Sequence, residues 1–260
     1  MITLLYHART NGFVCDRIAR ASEGEIVAVC DKTLSRTKVP GTLIRWDSCV
    51  ELDADKTINT AAAVKMSRDK RESRVLLQGL CPETWLEEED LQYPCIIRPK
   101  RHHAAVKFYV CHNVVAARKA IRRCRVWYAS PIIPKTFEYR VFVFQDHVVK
   151  IIRRYPADPT QIAWNAAEGG LAKRILRTSW PISAAKICIE AGRRFGLDWY
   201  AADVIGDAEN AYVLELNTAP GLARQETIQT FADLFTDEVA VRKNKLTGQT
   251  WQSLIHPSLR

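Results

Sequence analysis

Glu215 and Asn217 stand two residues apart in the segment Leu214 to Leu222, at the end of an apolar stretch that starts at Ala211. In extended backbone, residues two apart point to the same face, so both oxygen-bearing side chains share a side. Ahead of them the apolar run 199–205 carries Asp203, and Gly206-Asp207 reads as the turn that folds the two strands antiparallel. That hairpin sets Asp203 beside the other two. Two carboxylates and an amide oxygen are hard donors, the kind magnesium takes while sharing substrate phosphates. Spacing alone describes better a polar strand end closed by the turn Thr218-Ala219-Pro220-Gly221.

Cations stand upstream in a definite order. Ser67-Arg68-Asp69-Lys70 precedes Val75-Leu76-Leu77 and Pro82-Glu83-Thr84, and Tyr93-Pro94-Cys95-Ile96-Ile97-Arg98-Pro99 follows. Glu138 and Arg140 lie in an alternating strand, Arg153 and Arg154 come after it, and Asn165 precedes Gly169-Gly170 at Asn-x-x-x-Gly-Gly spacing. Taken with Asp203 and the Glu215-x-Asn217 pair before Pro220-Gly221, this succession resembles the ATP-grasp superfamily over about residues 58–223. Within it, the Asn-x-x-x-Gly-Gly spacing is similar to that of the carboxylate-amine ligase branch typified by ribosomal-protein glutamate ligases. The layout also resembles short ATP-grasp proteins encoded by tailed phages.

The resemblance implies ATP as a substrate, with magnesium, or manganese in its place, held by Asp203, Glu215 and Asn217. It places Lys70 and Arg98 on the ATP phosphates, Ile132 at the hinge beside adenine, Glu138 on the ribose and Arg140 near the phosphates. Arg140, Arg153, Arg154 and Asn165 are the expected catalytic group. The implied reaction is attack of a carboxylate on the γ-phosphate and displacement of the acyl phosphate by an amine, which asks for positioning and charge neutralisation rather than a nucleophilic side chain. Departures from the pattern are Arg98 where lysine is commoner, Ala163 where the branch carries arginine, and the segment 100–105, which has no glycine. The hinge at residues 127–132 lacks the usual acidic residue.

To position these residues the chain needs an α+β architecture. The resemblance implies an ATP-grasp fold of two α+β lobes clamping ATP, behind a small N-terminal α/β lobe. The expected divisions are 1–57, 58–128, 129–235 with the metal site, and a tail at 236–260. Strands are expected at Ile2 to Tyr6, Glu25 to Val29, Cys95 to Pro99, Val106 to Cys111 and Glu138 to Phe144. After a turn at Gln145-Asp146-His147 a further strand runs from Val148 to Ile152. Helices are expected at 14–21, 59–79, 114–124, 183–195 with Gly196 as C-cap, and 227–235. The stretch 31–55 reads as mixed.

Bulk composition sets outer bounds. The 260 residues are 47% apolar, enough for a sizeable core. No run approaches the length of a membrane span, and no signal peptide is legible, so a cytoplasmic protein is expected. The eight cysteines show no Cys-x-x-Cys pair and read as reduced, small hydrophobic residues. A net charge of +9 (38 cationic against 29 anionic residues) favours anionic partners, an acidic peptide or protein substrate among them. It also allows a nucleic-acid-binding protein, with Arg118, Arg122 and Arg125 on one helix face. A third reading is an ATP-binding pseudo-enzyme that serves as an interaction module.

Overall fold

The computed structural model describes residues 1–9, 12–35, 37–100, 108–164 and 169–243. Strands β1 (Ile2–Tyr6), β2 (Ile26–Cys30), β3 (Thr42–Trp46) and β4 (Lys56–Ile58) form a parallel sheet in the order β2-β1-β3-β4, with helix α1 (Gly12–Ala21) after β1. Strand β3 falls inside the stretch that read as mixed. All five of its residues are buried, and a strand covered on both faces has no polar alternation to betray it.

The helix expected over 59–79 is two helices, α2 (Ala61–Arg68) and α3 (Lys70–Leu76). Asp69 breaks it. Its backbone is extended (φ −87°, ψ 96°), and its carboxylate accepts from the Glu72 N–H at 3.3 Å, so it caps the second helix instead of continuing the first. Lys70 thereby opens α3. An antiparallel sheet follows, in the order β6-β5-β7, from β5 (Cys95–Pro99), β6 (Tyr109–Cys111) and β7 (Trp127–Pro131). Helix α4 (Val114–Cys124), capped by Asn113, packs Ala117 and Ala120 into the same cluster as Cys95 and Ile97. Arg125 lies beyond α4 at φ 62°, so it leaves the expected arginine face, and Arg118 on that face is bound to Glu88 at 2.5 Å.

The third sheet is antiparallel, in the order β10-β9-β8-β11-β12, from β8 (Phe137–Phe144), β9 (His147–Tyr155), β10 (Leu171–Arg174), β11 (Trp199–Gly206) and β12 (Ala211–Asn217). The β8–β9 hairpin turns on Gln145 and Asp146, both at positive φ (47° and 63°), the mirror-image geometry that matches strand twist. The turn is therefore one residue tighter than expected. Helix α5 (Ile182–Phe195) ends at Gly196 in the left-handed conformation (φ 64°). It covers one sheet face, where Val141, Val143, Ala202, Val204, Val213 and Leu216 meet Ala184, Cys188 and Ala191. On the other face Phe142, Phe144, Trp199 and Ala201 pack with Trp46 and Ile58 of the first sheet and with Ile228, Phe231 and Phe235. Those last three belong to α6 (Gln225–Lys243), which outruns the expected 227–235 helix.

Asn59 fastens these parts together. It is fully buried at φ 63°; its amide donates to the Trp199 carbonyl at 2.6 Å, and its side-chain oxygen accepts from the N–H groups of Asp198 (2.8 Å) and Trp199 (3.0 Å). All eight cysteines are free thiols. Among the described residues no helix is long and apolar enough to cross a membrane.

Candidate active site

One end of the third sheet presents a row of charged side chains on the face opposite α5. Asp203 on β11 pairs in register with Glu215 on β12 at one side and Arg140 on β8 at the other, and Asn217 lies opposite Ala201. Beyond Asp203 the register steps from Glu215 to Val213, which leaves Leu214 as an extra residue, a β-bulge. Leu214 and Glu215 consequently both face the cleft, while Val213 and Leu216 on either side stay in the α5 core.

The cleft holds a cavity of about 370 Å³ between this sheet and the three-stranded one. Its walls differ in character. Ile96, Tyr128, Ile132, Ile133, Ile205 and Leu214 give an apolar part, and Arg98, Arg140, Arg154, Asp203, Glu215 and Asn217 a charged part. Such a space suits a molecule with a flat apolar body and a polyanionic tail.

The charged groups form a connected network. Arg140 donates from Nε and Nη2 to the two Asp203 oxygens at 2.7 and 2.8 Å, and Arg154 reaches the same carboxylate at 3.3 Å from both Nη1 and Nη2. Arg154 Nη1 also donates to Glu138 at 2.7 Å, and Lys135 Nζ reaches the other Glu138 oxygen at 2.5 Å. Burial by itself pushes the Asp203 carboxyl up, but Arg140 and then Arg154 outweigh it and hold it well below the usual carboxylate range. Burial acts against the Arg140 guanidinium too, and Asp203 more than restores it. Desolvation lowers Arg98 and Lys135, so both cations lie where an incoming anion meets little competing water.

Lys70 comes to the same place from α3, its Nζ 3.3 Å from Glu215 Oε2. Its backbone N–H donates to the Lys100 carbonyl at 3.1 Å, while Lys100 Nζ holds Asp69 at 2.6 Å. The kink at Asp69 is thus tied to the end of β5, and it sets the direction of Lys70. Asn217 Oδ1 accepts from the Ala219 N–H at 2.9 Å, which orients the amide. Asp203, Glu215 and Asn217 offer three hard oxygens on one wall and fit magnesium, whose remaining positions phosphate and water would fill. Among the described residues no cluster of three or more His, Cys, Asp or Glu offers a self-sufficient protein site.

Of the residues expected from sequence, Arg98, Ile132, Glu138, Arg140, Arg154, Asp203, Glu215 and Asn217 line one cavity, and Lys70 touches it through Glu215. Arg153 does not join them. One step along β9 from Arg154, it points to the opposite face, donates to the Thr136 carbonyl at 3.1 Å and lies over the Tyr155 ring. Asn165 and residues 101–105 of the glycine-free segment lie outside the described residues. The structure adds Lys135 and Arg74 to the lining, and Tyr128 joins it from the expected hinge at 127–132. Arg74 stands one helical turn after Lys70, so the i, i+4 relation within α3 was the available signal, though the break at Asp69 hid it.

Residues 55–234 match a family model described as a RimK-like ATP-grasp domain. The chain belongs to the RimK-like ATP-grasp family. No curated protein sequence matches this ATP-grasp chain. The ATP-grasp ligase PsnB, in a complex with minimal precursor, Mg and ADP, is similar at TM-score 0.66 and 13% identity, covering 92% of this chain and 97% of that one. D-alanine–D-alanine ligase from Bacillus anthracis is similar at TM-score 0.64 and 14% identity, covering 94% and 98%. The macrocyclase MdnC from Microcystis aeruginosa MRC, bound with precursor peptide MdnA, is similar at TM-score 0.64 and 12% identity, covering 91% and 100%. At such identities the likeness establishes the ATP-grasp fold and leaves the chemistry to the residues.

Proposed function

We propose that the protein is an ATP- and magnesium-dependent ligase that joins a carboxylate to an amine through an acyl phosphate, acting on an amino acid, peptide or protein. One observation carries this reading: a single cavity on an ATP-grasp scaffold is apolar at one side and lined by Arg98, Arg140, Arg154, Asp203, Glu215 and Asn217 at the other. Adenine lies among Ile96, Tyr128, Ile132 and Leu214, with Glu138 toward the ribose. Lys70 and Arg98 neutralise the phosphates. Asp203, Glu215 and Asn217 would hold magnesium, which when bound supplies further charge neutralisation at the phosphates.

In the first step a substrate carboxylate oxygen attacks the γ-phosphorus as the bond to the β–γ bridging oxygen breaks, and ADP leaves with that electron pair. In the second, the amine attacks the acyl carbon, phosphate departs, and the nitrogen loses a proton. Arg140, fixed by two bonds to Asp203, and Arg154 stand where charge on the transferring group would grow. The relatives complexed with precursor peptides support a peptide substrate. The lobes divide near residues 57 and 128 on this reading.

The test is ADP release with magnesium and ATP across amino acids and peptides, comparing the wild type with Glu215→Ala. Acid-dependent ADP release that falls at least about a hundredfold in the variant is expected. Identical behaviour of the two proteins across the panel would remove the basis of the reading.

A further inference from the structure

Arg74 borders the cavity between the two antiparallel sheets and is buried there without a counter-charge. It is 3% exposed, and its Nη1 has no hydrogen-bond partner. Among the described residues no carboxylate lies within ion-pair distance of it. Its guanidinium instead lies over the Tyr128 ring, 5.4 Å from the centroid, beside the apolar part of the cavity. Burial lowers Arg98, and Arg74 lowers it further, so two groups that can only donate meet around Tyr128. Arg140 and Arg154 also border a second cavity of about 370 Å³ on their far side, with Lys150 and Arg174, but Arg74 lines the first alone.

The local fold holds Arg74 in this place. It is one of two buried residues of α3, with Ser73, and it follows Lys70 by four residues on the same helix face. Tyr128 on β7 pairs in register with Arg98 on β5, and Ile96, two residues before Arg98, shares that strand face. No acidic residue occurs in 127–133. The carboxylates that line the cavity are engaged by other cations: Glu138 by Lys135 and Arg154, Asp203 by Arg140 and Arg154, and Glu215 by Lys70. A buried guanidinium that faces a cavity with only a ring beside it is satisfied by an acceptor on whatever enters.

On the ligase reading a purine base lies among Ile96, Tyr128, Ile132 and Leu214. One edge of adenine presents N7 as an acceptor and the 6-amino group as a donor, whereas guanine and hypoxanthine present N7 and O6, both acceptors. An arginine opposes the amino group and joins the carbonyl, most favourably through two parallel bonds. We propose that Arg74 is a base-selecting residue and that this site takes 6-oxopurine triphosphates, GTP and ITP, in addition to ATP. The N–H groups of Arg74 donate to O6, and ATP offers them N7 alone. The inference rests on the ligase reading for the position of the base and widens the class of phosphoryl donor beyond ATP.

The probes are MgADP, MgGDP and MgIDP, each titrated calorimetrically into the full chain. IDP carries O6 without the 2-amino group of guanine, so it isolates the carbonyl. MgGDP and MgIDP are expected to bind the wild type within about tenfold of MgADP. Arg74→Met keeps a long apolar side chain without its donors, and in it the affinities for MgGDP and MgIDP, each divided by that for MgADP, should fall at least about tenfold. Arg74→Lys retains one donor group and should lose less of both ratios. MgADP bound while MgGDP and MgIDP are more than about tenfold weaker overturns the base assignment and leaves the ligase reading standing. A fall in the ratios smaller than about tenfold in Arg74→Met overturns it equally, since a residue that serves phosphate or shape weakens all three nucleotides alike. Should Arg74→Met fail to fold, the wild-type titrations and Arg74→Lys still decide. No binding of any of the three nucleotides defeats the ligase reading and the base assignment with it.

Discussion

Arg140→Met tests whether the Asp203 network is held by opposed charges or only by shape. The side chains of Arg140 and Asp203 are 20% and 9% exposed, so solvent screens the pair weakly. Two contacts at 2.7 and 2.8 Å vanish, and Arg154, at 3.3 Å, is left as the carboxylate's guanidinium partner. Removing one partner of a buried pair costs about 3 to 5 kcal/mol, and the surviving arginine brings the expectation to the lower end, about 3 kcal/mol. Urea unfolding followed by tryptophan fluorescence measures it. The double variant Arg140→Met/Asp203→Leu removes both charges and should lose only about 1 kcal/mol, well below the two single losses taken together. If the single variant is as stable as the wild type, or if Arg140→Met and Asp203→Leu add without coupling, the charged network is not what secures this end of the sheet.

Three further outcomes are expected. Asn59→Ala deletes the amide that serves Asp198 and Trp199 and puts alanine at φ 63°, so it should destabilise the chain by about 2 to 4 kcal/mol in urea, whereas Asn59→Gly relieves only the backbone part. Asp203 has its carboxyl depressed in the fold, so the stability it contributes is fully present above about pH 4 and is lost as pH falls through its folded value; urea midpoints from pH 7 to pH 2 should show this limb moved to higher pH in Arg140→Met. Trp199→Ala empties a site packed against Trp46 (4.9 Å) and Phe231 (4.7 Å) and should cost about 3 to 5 kcal/mol by chemical denaturation.

Much of the site was legible because its signals are local. Glu215 and Asn217 share a face by strand period, the β11–β12 hairpin brings Asp203 to them, and Lys70, Arg98 and Arg140 follow in an order that a family resemblance could read. What escaped was non-local or depended on register. Strand β3 is buried on both faces, Thr42 and Arg45 included, and is recognisable only once β1 and β4 flank it. The break at Asp69 needs a capping bond from its own side chain, which periodicity in 59–79 does not reveal. Arg153 and Arg154 look interchangeable in sequence, yet pleating sends one to the cleft and the other away. The bulges at Leu214 and Val149 belong to this class: each adds one residue against a partner strand, and pairing alone exposes it. Lys135 was missed because its role is to hold Glu138, a relation between two residues at a strand's beginning.

Arg140 and Arg154 border two chambers, and this common wall ties their contents together. On the proposed ligase reading, phosphate oxygens arriving on one side would draw on the same guanidinium N–H groups that the acid would meet on the other. Whatever factor the nucleotide imposes on the affinity for the acid, the acid must return to the nucleotide, because binding free energies are reciprocal. Asp203 is the third party, for each anion competes with it for those donors. On the proposed ligase reading, a half-filled state would differ from a filled one by the charge balance of a single partition, without a hinge or lid having to move.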